Sequence, residues 1–183
     1  MCAITASNQK FFRLTTMAPS ELHEPLGKWL RFLELIDWRN IMHKTKALST
    51  PNGLIYELGK QLGLPGTLAL CDMSTIEYAP PHYHGEPETE VYVVLEGSGT
   101  LVVGYTEYQL EKGMIIPVLP NTAHFTIPGE TLILALISLP SFNLNNLIPT
   151  PELSDPAICF DYNQFLSLLE KRKKNLLREN HGT

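Results

Sequence analysis

The sequence predicts a mainly β, antiparallel sandwich or barrel with an N-terminal helical extension and a C-terminal helix, and three observations carry that prediction. From Thr67 to about Phe142, short runs rich in Val, Ile, Leu, Tyr and Thr are separated by Pro and Gly clusters every roughly 8 to 12 residues, the rhythm of antiparallel strands. Residues 18–48 instead place apolar side chains at helical spacing, and residues 163–179 do so again. The strand pattern occurs once, without internal repeat or low-complexity tract. The chain therefore divides into a helical extension at 1–62, a barrel at 63–145, and a linker with a helix at 146–183.

In the first zone Ser20 can cap a helix, Glu21 and Glu24 suit a first turn, and Trp29, Leu30, Leu33, Ile36 and Ile41 fall near helical spacing. Pro25 is tolerated only near a helix start, so one or two short helices are expected. Strands are expected at 67–78, 90–95, 99–105, 114–118, 123–127 and 131–138, with turns at Gly97-Ser98-Gly99, Lys112-Gly113, Pro120-Asn121 and Pro128-Gly129. The last zone opens on Pro149, Pro151 and Pro156. Its helix gathers Phe165, Leu168, Leu169, Leu176 and Leu177 on one face and leaves the Lys171 to Lys174 run mainly to solvent. Both apolar stripes need burial, in the same chain or across a dimer, and a homodimer is expected.

Composition narrows the function. A chain of 183 residues, 44% hydrophobic and 18% charged, is long enough for one domain with a core and too short for two large ones. The longest apolar run, Leu132 to Ile137, is far below the roughly 18 residues of a membrane-spanning helix, so no membrane partner is expected. Residues 1–20 lack a basic start followed by an apolar stretch, so no secretory signal is read. The net charge is −5, but residues 163–183 carry five positive against two negative side chains, which leaves −8 on the remainder. That balance argues against a nucleic-acid partner. Cys2, Cys71 and Cys159 are odd in number and scattered, which argues against a disulfide framework or a thiolate zinc site and fits a cytoplasmic location.

The segment that carries chemistry is Pro81-His82-Tyr83-His84-Gly85-Glu86-Pro87-Glu88-Thr89-Glu90. In an extended strand side chains alternate faces, so His82 and His84 point the same way. Glu90 opens the strand that follows and His124 stands at the head of a later one. Three imidazoles and one carboxylate suit a borderline divalent metal, with positions left for water or substrate. If His82 and His84 face inward, alternation sends Tyr78 inward too. The same step adds Tyr92 to Glu90 and Thr126 to His124. Glu86 and Glu88 read as a solvated loop, and His23, His43 and His181 are assigned no site.

These residues resemble the two motifs of the cupin superfamily. His82, His84, Glu90 and Gly97 match the first motif, and Gly113, Pro120 and His124 match the second, together covering residues 78–128. Five residues separate His84 from Glu90 where three or four are commonest, so Glu88 is a rival ligand. Glu90 is preferred because Gly97 lies seven residues beyond it. Asn121 stands where the second motif has Gly, and tolerates positive φ better than other non-glycine residues. Pro128 replaces that motif's final Asn. The resemblance implies a jelly-roll barrel and one divalent transition metal (Mn, Fe, Ni or Zn) on His82, His84, Glu90 and His124.

The run His82-Tyr83-His84 with Thr89-Glu90-Val91-Tyr92 is also similar to archaeal cupin-type phosphoglucose isomerases, which implies aldose–ketose isomerisation as the first activity to consider. Glu90 and Tyr92 are then the candidate catalytic residues, and Tyr78, Tyr92 and Thr126 the candidate substrate-binding ones, for a small polar, sugar-like or oxygen-chelating ligand. Oxygen-dependent cleavage and non-catalytic ligand binding are the alternatives. The assigned inward positions offer no Lys or Arg for a phosphate.

Overall fold

The computed structural model describes residues 12–13, 24–58 and 66–181. Helix α1 spans Glu24–Leu35 and α2 spans Trp38–Lys44. Pro25 falls in the first turn of α1, where a missing N–H costs nothing. Asp37 caps α2, its Oδ1 accepting from the Asn40 amide at 3.2 Å. Ser20 and Glu21 lie outside the described residues.

A short β1 (Phe12–Arg13) precedes the helices, and β2 (Leu48–Thr50) and β3 (Gly53–Glu57) follow them. The last two correct the expectation of a purely helical extension to residue 62. They form an antiparallel hairpin in which Thr50 pairs with Gly53, and Gly53 takes φ +105°. The Asn52-Gly53 pair, set between apolar residues, is a hairpin signal. The sheet continues through β4 (Thr67–Asp72), β5 (Ala79–His84), β6 (Thr89–Val103), β7 (Thr106–Glu111), β8 (Met114–Val118), β9 (His124–Leu139) and β10 (Leu147–Pro149). Its order is β1-β8-β6-β9-β4-β3-β2, with β7 on β6, β5 on β9 and β10 on β5. The result is a mainly β, curled antiparallel sheet with helices toward both ends, as expected.

Two expected turns are bends instead. Segments 90–95 and 99–105 are one strand, β6, and 123–127 and 131–138 are one strand, β9. The β6–β9 ladder shifts register between Val94 and Glu96 and again between Gly97 and Gly99. These bulges turn both strands sharply without breaking them. Gly97 sits at φ +84°, and a Cβ there would run into the Thr131 carbonyl oxygen. Only glycine fits at the bend.

Alternation along the bent strands sorts the core. Tyr92, Val94, Leu101 and Val103 of β6 face inward with Leu132 and Leu134 of β9. Val91 and Val93 face outward, and with Leu68, Leu70, Ala135 and Ile137 they bury Trp29, Leu30 and Leu33 of α1. Past the bend, Val102, Phe125 and Ile127 receive Ile158, Phe160, Phe165 and Leu169, the last two from α3 (Tyr162–His181). The described part of each helical stripe thus packs against the sheet of the same chain, with Ile36, Ile41 and Leu168 only partly buried. Leu176 and Leu177 lie in α3, with side chains outside the described residues. Lys171, Lys173 and Lys174 are exposed, whereas Arg172 turns back and its Nη2 donates to the Gly129 carbonyl at 3.2 Å.

Among the described residues no helix is long and apolar enough to cross a membrane. Cys71 is a free, buried thiol whose pKa burial pushes up, so it is not a reactive nucleophile. Cys159 is disulfide-bonded, a correction to the expectation drawn from the scattered cysteines.

Candidate metal centre

Three strands deliver four donors to one point inside the curled sheet. His82 and His84 share the inner face of β5, and His82 pairs directly with His124 on β9. Glu90 comes from farther away, because the β6–β9 register sets it against Ser138 while Val103 sits against His124. Glu90 and His124 therefore stand at opposite ends of the same ladder. The bend at Gly97 folds the ladder over and brings Glu90 Oε2 to 3.2 Å from His124 Nε2. The same oxygen lies 3.5 Å from His84 Nε2.

All four residues are buried, and their donor atoms lie within 4.8 Å of one another. The rings of His82 and His124 are 4.3 Å apart, centroid to centroid. Both nitrogens of His84 are buried without a hydrogen-bond partner, an expensive state for an imidazole. Three imidazole nitrogens and one carboxylate oxygen, crowded together with orphaned lone pairs, fit a divalent transition metal.

The electrostatics agree with that fit. Burial holds the His82 pKa down at about 3, so this ring is neutral across the physiological range. Burial also opposes charge on His84, but the Glu90 and Glu88 carboxylates outweigh it and raise its pKa. Burial would raise the Glu90 pKa, yet the facing His124 and His84 hold it well below the usual carboxylate range. Glu90 is therefore an anion at neutral pH, the state a metal ligand needs.

The structure sorts the remaining expected site residues. Tyr92 is buried, its ring 5.8 Å from that of His124, and burial followed by the Glu90 charge raises its pKa well above normal. Thr126 is fully buried two residues along β9 from His124. Tyr78 does not join them. A register shift between Ala79 and His82 breaks the alternation, so Ala79 takes the inner face and Tyr78 packs edge-on to Phe165 of α3 at 5.5 Å. Asn121 adopts φ +57°, as its substitution for glycine requires.

Two neighbours escaped sequence reasoning, and a third, Glu88, reads there both as a solvated loop residue and as a rival ligand. Glu86 is exposed as expected, but Glu88 is only 2% exposed and faces His84. Its position four residues after His84 was a local signal. Asn146 bonds Glu88, and Phe142 lies edge-on to His84 at 6.1 Å. Both come from the segment after β9, with no sequence pattern tying them to the histidines.

An antiparallel curled sheet with three histidines and a glutamate on its inner face is consistent with a jelly roll whose interior could hold a metal ion. Residues 70–137 match the Cupin domain family, which supports placing the chain in the cupin superfamily. Among solved structures it is similar to a protein from Planctomyces limnophilus at 26% identity, covering 58% of this chain and 90% of that one with a TM-score of 0.49. A Streptomyces nucleoside dehydratase solved with uridine shares 15% identity over 60% of this chain and 87% of its own, TM-score 0.50. Ectoine synthase from P. lautus shares 15% over 66% and 93%, TM-score 0.50. The last two likenesses speak to the fold alone. No curated protein matches the chain.

Proposed function

We propose that this chain is a metal-dependent enzyme acting on a small polar molecule, sugar-like or oxygen-chelating, with isomerisation of an aldose–ketose type the first reaction to test. The observation that carries the reading is the buried donor set His82, His84, Glu90 and His124, with the hydroxyl of Tyr92 beside it. No Lys or Arg appears among the buried residues of the described chain, which favours a neutral or weakly charged ligand over a phosphate. When bound, the metal supplies Lewis-acid polarisation of a carbonyl or hydroxyl pair.

The chain's own residues do the rest. His82, His84, His124 and Glu90 hold the ion and set its charge balance. Tyr92, kept protonated by its raised pKa, donates a hydrogen bond rather than accepting a proton. Thr126 offers a second hydroxyl on the same face. The buried surroundings exclude water and strengthen each of these interactions. That barrels of this fold carry catalysis is supported by a nucleoside dehydratase and an ectoine synthase among the solved neighbours, whose substrates are not transferred here. The same reading has a homodimer without nucleic-acid or membrane partners, while the disulfide at Cys159 removes the cysteine argument for a cytoplasmic location.

Thermal-shift screening of polyols, aldoses, hydroxy acids and nucleosides, run with metal-loaded and chelated protein, tests it. The expected result is a hit that needs the metal, followed by turnover without oxygen consumption. Oxygen consumption with iron would move the assignment to a dioxygenase. Metal-dependent binding without turnover would make it a sensing or storage protein.

A further inference from the structure

Each histidine of the centre has two ring nitrogens, and the structure shows what holds the outer one. His82 Nδ1 lies 2.9 Å from the Pro80 carbonyl and His124 Nδ1 lies 3.1 Å from the Thr122 carbonyl. A carbonyl only accepts, so both rings carry a proton on Nδ1; the neutral His82 ring then leaves Nε2 unprotonated, whereas His124 Nε2 also faces the Glu90 carboxylate at 3.2 Å. In each case the acceptor is two residues back along the same strand. For His84 the pattern changes: its Nδ1 faces Glu88 Oε1 at 3.5 Å while its Nε2 faces Glu90.

Glu88 is 2% exposed, and Glu88 Oε1 and His84 Nδ1 are both buried atoms with no other partner. Two orphaned groups facing each other belong together, and a few tenths of an ångström separates them from a hydrogen bond. The other oxygen, Oε2, accepts from Asn146 Nδ2 at 3.0 Å, and the same amide donates to the Gly85 carbonyl at 2.9 Å. A Cβ on Gly85 would come within 2.7 Å of Asn146 Oδ1, so glycine there makes room for the amide. Asn146 is in turn fixed by β10, which starts at the next residue and pairs Leu147 with His84 itself.

We propose that Glu88, held by Asn146, is the positioning residue that fixes the His84 ring with its proton on Nδ1 and its Nε2 lone pair turned to the other donors. Its effect on affinity rests on the metal-binding reading above; its effect on the ring does not. Outer carboxylates of this kind raise ligand basicity and orient the ring.

Two measurements test the proposal. Nitrogen-15 NMR of the metal-free protein at pH 8 should show His84 as the Nδ1–H tautomer, and Glu88→Ala should lose that preference. Titration with Co2+ should find Glu88→Ala about 10- to 100-fold weaker at unchanged stoichiometry, and Asn146→Ala weaker by less. Glu88→Gln, of the same shape, should shift both readouts in the same direction and serves where Glu88→Ala does not fold by circular dichroism. An Nε2–H tautomer in the unaltered protein, or Co2+ affinity within twofold of it in both Glu88 variants, overturns the proposal. Absence of Co2+ binding by the unaltered protein sinks the metal reading alone, and the tautomer then decides the role of Glu88.

Discussion

Glu90→Gln keeps the shape of the side chain and removes its charge, which isolates what the carboxylate contributes to the centre. Oε2 of Glu90 stands 3.2 Å from His124 Nε2 and 3.5 Å from His84 Nε2, and the residue is 6% exposed. Losing the charge of a side chain that would touch the ion should cost more than the about 100-fold upper end of an outer-sphere change. Glu88→Gln leaves the four donors in place and should cost only the about 10- to 100-fold expected of an outer-sphere change. Competitive titration of Co2+ against a chelator at pH 7.5 reads both, with circular dichroism confirming the fold. Glu90→Gln is expected to weaken binding the more. Equal or reversed order would show that Glu88 is the ligand and that the spacing to Gly97 misled the assignment.

Phe165→Ala removes the ring that anchors α3 against Phe125 at 4.9 Å and Tyr78 at 5.5 Å. A loss of about 3–4 kcal/mol is expected in urea unfolding, and a loss below about 1 kcal/mol would mean that the helix carries little of the fold. Gly97→Ala should lower stability by about 1–3 kcal/mol through its positive φ and also weaken Co2+ binding, because the bend is what carries Glu90 to His124; an unchanged melt would refute the bend's need for glycine. Because the His84 pKa is raised, a proton competes with the metal at higher pH than for an ordinary histidine, so Co2+ affinity should be full in mild alkali and begin to fall on acidification above the ordinary imidazole value of about 6.5. Affinity flat from pH 8 to 5 would contradict that ligand assignment.

The donor set was legible because a strand's period of two leaves no freedom: His82 and His84 must share a face. Glu90 and His124 followed from motif spacing, though nothing in the local sequence says how two residues at opposite ends of one ladder meet. Gly97-Ser98-Gly99 and Pro128-Gly129 have the composition of turns and of bulges alike, and only the pairing of β6 with β9 decides between them. The same ambiguity cost the placement of Tyr78, since a bulge shifts every side chain beyond it to the other face. Glu88 reads in the sequence as a solvated loop residue or a rival ligand, and its role beside Asn146 was not legible because that partner is 58 positions away. The hairpin at Asn52-Gly53, by contrast, was written in the sequence.

The central claim, that four buried donors form a metal centre, is tested most directly by elemental analysis. Protein purified without chelator, and again after reconstitution with Mn2+, Fe2+, Ni2+ or Zn2+, should carry one ion per chain, and His82→Ala and His124→Ala should each abolish it without unfolding the protein. Sub-stoichiometric metal under every condition, or full occupancy in both variants, would contradict the account.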